Sequence, residues 1–140
     1  MKTIAEFIEK FTDKKIGNIE KERGKYYLAD HDVSLCAKKI KLPASGIGLF
    51  LGSEKNSRFM PSLALLQMLS KISDRKTIIN RKQEWFFTNS RDLDVKGKTR
   101  FHEGMILVQN QFDENLGLGE FTKKGIKNII DIGDYLRREI

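Results

Sequence analysis

Cysteine is nearly absent from this sequence. Cys36 stands alone among 140 residues, which excludes an intrachain disulfide and fits a reducing compartment. It lies in Ser34-Leu35-Cys36-Ala37 with no evident base or thiolate-stabilising group beside it, so it reads as a small core residue and not as a nucleophile. Histidine is almost as scarce. His31 lies between Asp30 and Asp32 and His102 precedes Glu103; the two make no spaced ligand set of the kind zinc uses, and both read as solvated turns. Long apolar runs are missing as well. No stretch reaches the roughly 18 residues a membrane-spanning helix needs, and Met1–Lys10 alternates apolar with charged residues and lacks the apolar core of a signal peptide. No Walker-type loop occurs. Gly46, Gly48 and Gly52 approach the dinucleotide fingerprint, but the third glycine is one place late and Leu49-Phe50-Leu51 looks like strand, not the start of a helix. These absences lead to the expectation of a cytoplasmic chain with no metal, no cofactor, no membrane contact and no catalysis of its own.

What the sequence does have is positive charge and enough apolar material for a core. Lys and Arg number 26 against 19 Asp and Glu, a formal charge of +7, which draws a small protein to polyanions. Hydrophobic residues make up 39% of the chain, nine Phe among them, so a packed interior is expected over disorder.

Periodicity places the elements. Ile4, Phe7, Ile8 and Phe11 form a helical stripe behind Thr3 and Glu6, a capping-box pattern. Ile19–Arg23 and Lys25–Ala29 read as strands around Gly24, Asp30-His31-Asp32 as a turn, and Val33–Ile40 as either strand or helix. Gly46–Gly52 reads as a strand and Ser53–Ser57 as a polar turn. Phe59-Met60-Pro61 is expected to lead into a buried helix over Ser62–Leu69, with Pro61 near its first turn. Ser73-Asp74-Arg75-Lys76 marks the expected boundary between two subdomains. Beyond it, Thr77–Ile79 reads as a strand and Gln83–Phe87 as a short helix. Gly104–Val108, Leu116–Phe121 and Ile126–Ile130 then read as strands with turn residues between them, the pattern of a small barrel.

The cations fall into clusters: Lys38, Lys39 and Lys41; Lys55 and Arg58; Arg75, Lys76, Arg81 and Lys82; Lys123, Lys124 and Lys127; and Arg137 with Arg138. Any one of them reads as a solvated face. Several on one barrel would make a surface that tracks phosphates. Tyr26, Tyr27, Trp85 and Phe86 are of a type that stacks on bases, although Trp85 and Phe86 fit a core more readily.

Two patterns carry a family resemblance. Gly48-Leu49-Phe50-Leu51-Gly52 followed by Arg58-Phe59-Met60-Pro61-Ser62-Leu63-Ala64-Leu65 resembles G-L-x-L-G…R-F-x-P-S-x-A-L. Gly104–Val108, Leu116-Gly117-Leu118-Gly119 and Gly125-Ile126-Lys127-Asn128 resemble G-x-x-L-V…L-G-x-G…G-x-[LI]-K-N. Both are similar to the PUA-like RNA-binding domain of NOL/NOP/Sun-type rRNA cytosine methyltransferases. Those domains follow K-N with a Pro-Lys-Gly turn. Here Ile129–Arg138 instead resembles the D-I-G-x-Y-[LV]-R close of Nip-type ribosome-assembly factors. Catalytic members of the first family carry a long S-adenosylmethionine domain for which these 140 residues have no room, so any methylation would be done in trans. The resemblance implies an α+β chain, with an N-terminal α/β subdomain over 1–74 and a PUA-like β-barrel over 75–140. It implies binding to structured RNA, rRNA above all, and partners among ribosome-assembly or methyltransferase proteins. Lys123, Lys124, Lys127, Arg137 and Arg138 are the expected phosphate contacts, with Lys55 and Arg58 extending the surface. The competing expectation is a protein–protein adaptor in the same pathway, with cations that merely solvate.

Overall fold

A computed structural model of the chain describes residues 3–29 and 49–139. The first element follows from its stripe: α1 spans Ile4–Glu9, Thr3 accepts a hydrogen bond from the Glu6 amide at 3.2 Å, and Ile4, Phe7 and Ile8 are buried. Four antiparallel strands come next, β1 (Asn18–Glu22), β2 (Lys25–Ala29), β3 (Leu49–Lys55) and β4 (Arg58–Pro61), paired in chain order. Both tight hairpins turn on two residues of positive φ, Arg23 (51°) with Gly24 (78°) and Asn56 (54°) with Ser57 (61°), the geometry that suits the strands' own twist. Phe7, Phe11, Phe59 and Tyr26 make the aromatic centre of this sheet, with ring centroids 5.1 to 5.7 Å apart.

Two expectations fail in this region. Ser53–Lys55 continues β3 instead of turning, and only Asn56 and Ser57 turn. Pro61 ends β4 and does not open a helix. It can do so because β4 is an edge strand, where a missing N–H costs no ladder bond. Ser62 then starts the helix α2 (Leu63–Ile72): its hydroxyl accepts from the Leu65 amide and donates to the Phe50 carbonyl, at 3.1 and 2.7 Å. The expected elements over 30–48, with Cys36, Lys38, Lys39, Lys41, Gly46 and Gly48, lie outside the described residues.

The chain divides into two compact units, residues 1–65 and 66–140; the composition change at 73–76 sits at the far end of α2 from that division. The second unit contains β5 (Lys76–Ile78), α3 (Arg81–Phe87), β6 (Met105–Gln109), β7 (Asn115–Phe121), β8 (Ile126–Asp131) and α4 (Ile132–Glu139). The sheet order is β5-β6-β7-β8, with β5 parallel to β6 and the rest antiparallel. Its core joins Ile79, Phe87, Leu93, Ile106, Val108, Leu116 and Ile126. Burying each such side chain contributes about 1.5–3 kcal/mol.

The expected barrel is not closed by strand pairing. An irregular segment reaches both edges of the sheet instead. Leu93 exchanges amide hydrogen bonds with Ile126 on β8 at 2.8 and 2.9 Å, and Lys98 exchanges them with Ile78 on β5 at 3.1 and 2.9 Å. Thr77 adds a hydroxyl bond to the Lys96 carbonyl at 2.6 Å. Residues 93–98 thus satisfy part of two edges that would otherwise present free backbone groups.

Candidate nucleic-acid interface

Segment 91–98 carries Arg91, Lys96 and Lys98, all exposed. Its position depends on small local contacts. The turn Thr122-Lys123-Lys124-Gly125 is tied by the Thr122 hydroxyl, which accepts from the amides of Lys124 and Gly125. A Cβ on Gly125 would run into the Leu93 carbonyl and the Val95 amide nitrogen, so only glycine lets the turn lie this close to the segment. Next along β8, the Asn128 amide donates to the Asp92 carboxylate at 2.8 Å. Lys123, Lys124 and Lys127 are therefore held beside the segment, exposed, and without an ion pair to any described residue.

The other flank of the segment is α3. Asn80 and Gln83 form a reciprocal capping box at its start, at 2.8 and 2.9 Å. Two hollows of about 530 and 750 Å³ share Asn80 and Gln83; one is bordered by Lys82, Phe86 and Arg91, the other by Lys96 and Lys98. Asp92 and Asp94 are the acids of this rim, and Asp92 is already engaged by Asn128. Exposed cations thus rim the two hollows, Lys82 and Arg91 on one and Lys96 and Lys98 on the other, and the lysines of the β7–β8 turn lie by the Leu93–Val95 end of the same segment.

The sequence cluster Arg75, Lys76, Arg81 and Lys82 is split by the fold. Arg75 donates to the carbonyls of Met105, at 2.6 Å, and Glu103, and its guanidinium lies 4.7 Å from the Phe101 ring. Lys76 pairs with Asp113 at 2.8 Å and holds that carboxyl below its usual range. Both are structural, whereas Arg81 and Lys82 face solvent. Arg137 is also engaged: it donates to the Ser90 hydroxyl at 2.7 Å and the Thr88 carbonyl at 3.3 Å, tying α4 to the end of α3. The Arg138 side chain lies outside the described residues. Lys55 and Arg58 sit opposite each other across the β3–β4 turn, exposed, in the first unit.

The aromatic expectations divide in the same way. Tyr26 is buried, its hydroxyl donating to Glu54 while Lys21 pairs with the same carboxylate at 3.0 Å. Burial first and the Glu54 bond second push the Tyr26 hydroxyl up, and the Tyr26 and Lys21 bonds hold Glu54 low. Trp85, expected in the core, is 59% exposed; Phe86 does pack against the core. Arg91, Lys96 and Lys98 do not stand out in the sequence because R-D-L-D-V-K-G-K mixes them with acids. Alternation of sign is the only signal there, and it does not tell which charges end up paired.

No family model matches the chain, and none of the curated proteins does. Among solved structures the chain is similar to a conserved PUA domain protein from Thermoplasma acidophilum, with a TM-score of 0.59, 16% sequence identity, and coverage of 96% of this chain and 89% of that one. The fold is PUA-like. The expected PUA-like fold and α+β class therefore hold, without a closed barrel of strands.

Proposed function

We propose that the chain is a PUA-like module that binds structured RNA, rRNA above all, in ribosome assembly or rRNA modification, and does no chemistry of its own. The observation that carries this reading is the rim of cations along 91–98 and the β7–β8 turn, none of which has an ion-pair partner among the described residues. A phosphate backbone is a line of negative charge, and several free lysines on one unit match it through counterion release. Binding RNA is also the usual work of PUA domains, and the motif resemblance points to the ribosome. Lys123, Lys124 and Lys127 contact phosphates together with Lys96 and Lys98. Arg137 serves the fold, and Lys55 and Arg58 contribute a separate basic hairpin.

The test is a titration of fluorescent rRNA fragments at several salt concentrations, against duplex DNA and an unrelated RNA, with the Lys123/Lys124/Lys127→Ala variant alongside. Binding with a steep salt dependence that the variant flattens supports the reading. Absence of RNA binding even at low salt rejects it in favour of the protein adaptor.

A further inference from the structure

Resting on that RNA-binding reading, we infer that Trp85 is a stacking platform for an unpaired nucleobase, so that the module selects RNA with a single-stranded nucleotide beside the part that its lysines track. Trp85 is the only tryptophan. More than half of it is open to solvent, although its sequence neighbours Phe86 and Phe87 are packed inward. A lone exposed aromatic needs no explanation; this one has four companions that give it a use. Phe86 meets it edge-on, with centroids 5.3 Å apart and planes at 77°, which fixes the orientation of the indole. The Arg91 guanidinium lies 6.0 Å from the Trp85 ring and 5.6 Å from that of Phe86. Arg81 and Lys82 stand four and three residues before Trp85 on α3, hence on its face of the helix, both exposed and without a described ion-pair partner.

The backbone under the platform is held. Asn89 donates to the Trp85 carbonyl at 2.6 Å and the Thr88 hydroxyl to the Glu84 carbonyl at 2.9 Å. Stacking on it therefore costs little ordering. Of the nearby acids, Glu84 lines a different hollow with Asn110 and Ile132, and Asp92 is bonded to Asn128, which leaves Asp94 on the hollow beside the platform against the three cations Arg81, Lys82 and Arg91. Charge complementarity thus points to a polyanion and the indole to a flat π-face, and a nucleotide has both. Duplex interiors offer no free base face, which leaves a loop, bulge or strand end. The hollow of about 530 Å³ beside the platform, bordered by Lys82, Phe86 and Arg91, leaves room for the neighbouring sugar and phosphate.

Trp85, as the sole tryptophan, reports on itself. The experiment follows its fluorescence, and the anisotropy of a labelled probe, while the full chain is titrated with a single-stranded RNA octamer, with the blunt duplex of the same sequence, and with heparin as a polyanion without bases. The expected result is quenching on saturation with the single strand and little change with heparin at equal occupancy. Trp85→Ala should weaken single-strand binding by about 5- to 100-fold and Trp85→Phe by much less, with heparin binding unchanged in both and an unaltered melting curve confirming the fold. Single-strand binding without quenching, or full affinity in Trp85→Ala, overturns the stacking platform and leaves the RNA-binding reading standing. If neither RNA nor heparin binds at low salt, both fall, and the exposed indole belongs to a protein contact.

Discussion

The β7–β8 turn and the helix α4 each carry a pair of adjacent basic residues, Lys123-Lys124 and Arg137-Arg138, and in the sequence they look alike. In the fold they are opposites. Around the turn, Lys123, Lys124 and Lys127 face solvent beside Arg91, Lys96 and Lys98, and none has an ion-pair partner among the described residues. On α4, Arg137 spends its donors on Thr88 and Ser90. The difference teaches that the cations left available are told by which of them lack internal partners, not by where cations cluster along the chain. A guanidinium with five donors in a fork is readily drawn into structural work, whereas a lysine on a turn tip stays hydrated and available.

The contrast is broken most severely by removing the free set. Replacing Lys96, Lys98, Lys123, Lys124 and Lys127 with Ala should lower RNA affinity by about 100-fold at low salt and reduce the salt slope by roughly 0.7 to 0.9 for each phosphate no longer neutralised, while the melting temperature stays near wild type. Fluorescence anisotropy across a salt series checks both. Gly125→Ala tests whether the turn needs its closeness to the segment. Its Cβ meets backbone atoms of Leu93 and Val95 that cannot swing away, so a destabilisation of about 1–3 kcal/mol is expected in a denaturant melt, along with weaker RNA binding.

Arg137→Ala should behave in the opposite sense to the lysines. It removes two exposed hydrogen bonds, at a cost of roughly 1 kcal/mol in stability, and should change RNA affinity by less than about twofold at equal folded fraction. The smallest effect belongs to Lys76 and Asp113. The Lys76 bond holds the Asp113 carboxyl below its ordinary value, so the pair's stabilisation is fully present above the unfolded carboxyl value and is lost as pH falls through the lowered one. Protection of the amides at residues 110–114, taken as the exchange rate relative to the intrinsic rate at each pH, should fall on acidification from about pH 6 to about pH 3, and Asp113→Asn should abolish that dependence.

How much of this is legible in the sequence follows from how local each signal is. The strands β6, β7 and β8 are readable because apolar runs alternate with short turn clusters, and α1 because its stripe and its cap are contiguous. β4 is disguised because Pro61 before a Ser-Leu-Ala-Leu run looks like a helix start, and only its place at a sheet edge makes a strand-final proline acceptable. The segment 93–98 is invisible as a structural element. Its bonds to Ile126 and Ile78 join positions far apart in the chain, and no periodicity announces them. The site shows the same division. The turn lysines are marked by their spacing around Gly125, but the engagement of Arg75, Lys76 and Arg137 and the exposure of Trp85 depend on tertiary structure. Trp-Phe-Phe on a short helix reads as core by composition, and the helix turns only two of its three rings inward.

The most direct test of the rim is an amide chemical-shift titration of the full chain with an rRNA fragment. The first and largest changes are expected at residues 91–98 and 122–127 and at the Trp85 indole N–H, with α4 nearly still. Changes concentrated on α4, with the rim unmoved at saturation, would contradict an RNA surface built from the unpaired cations.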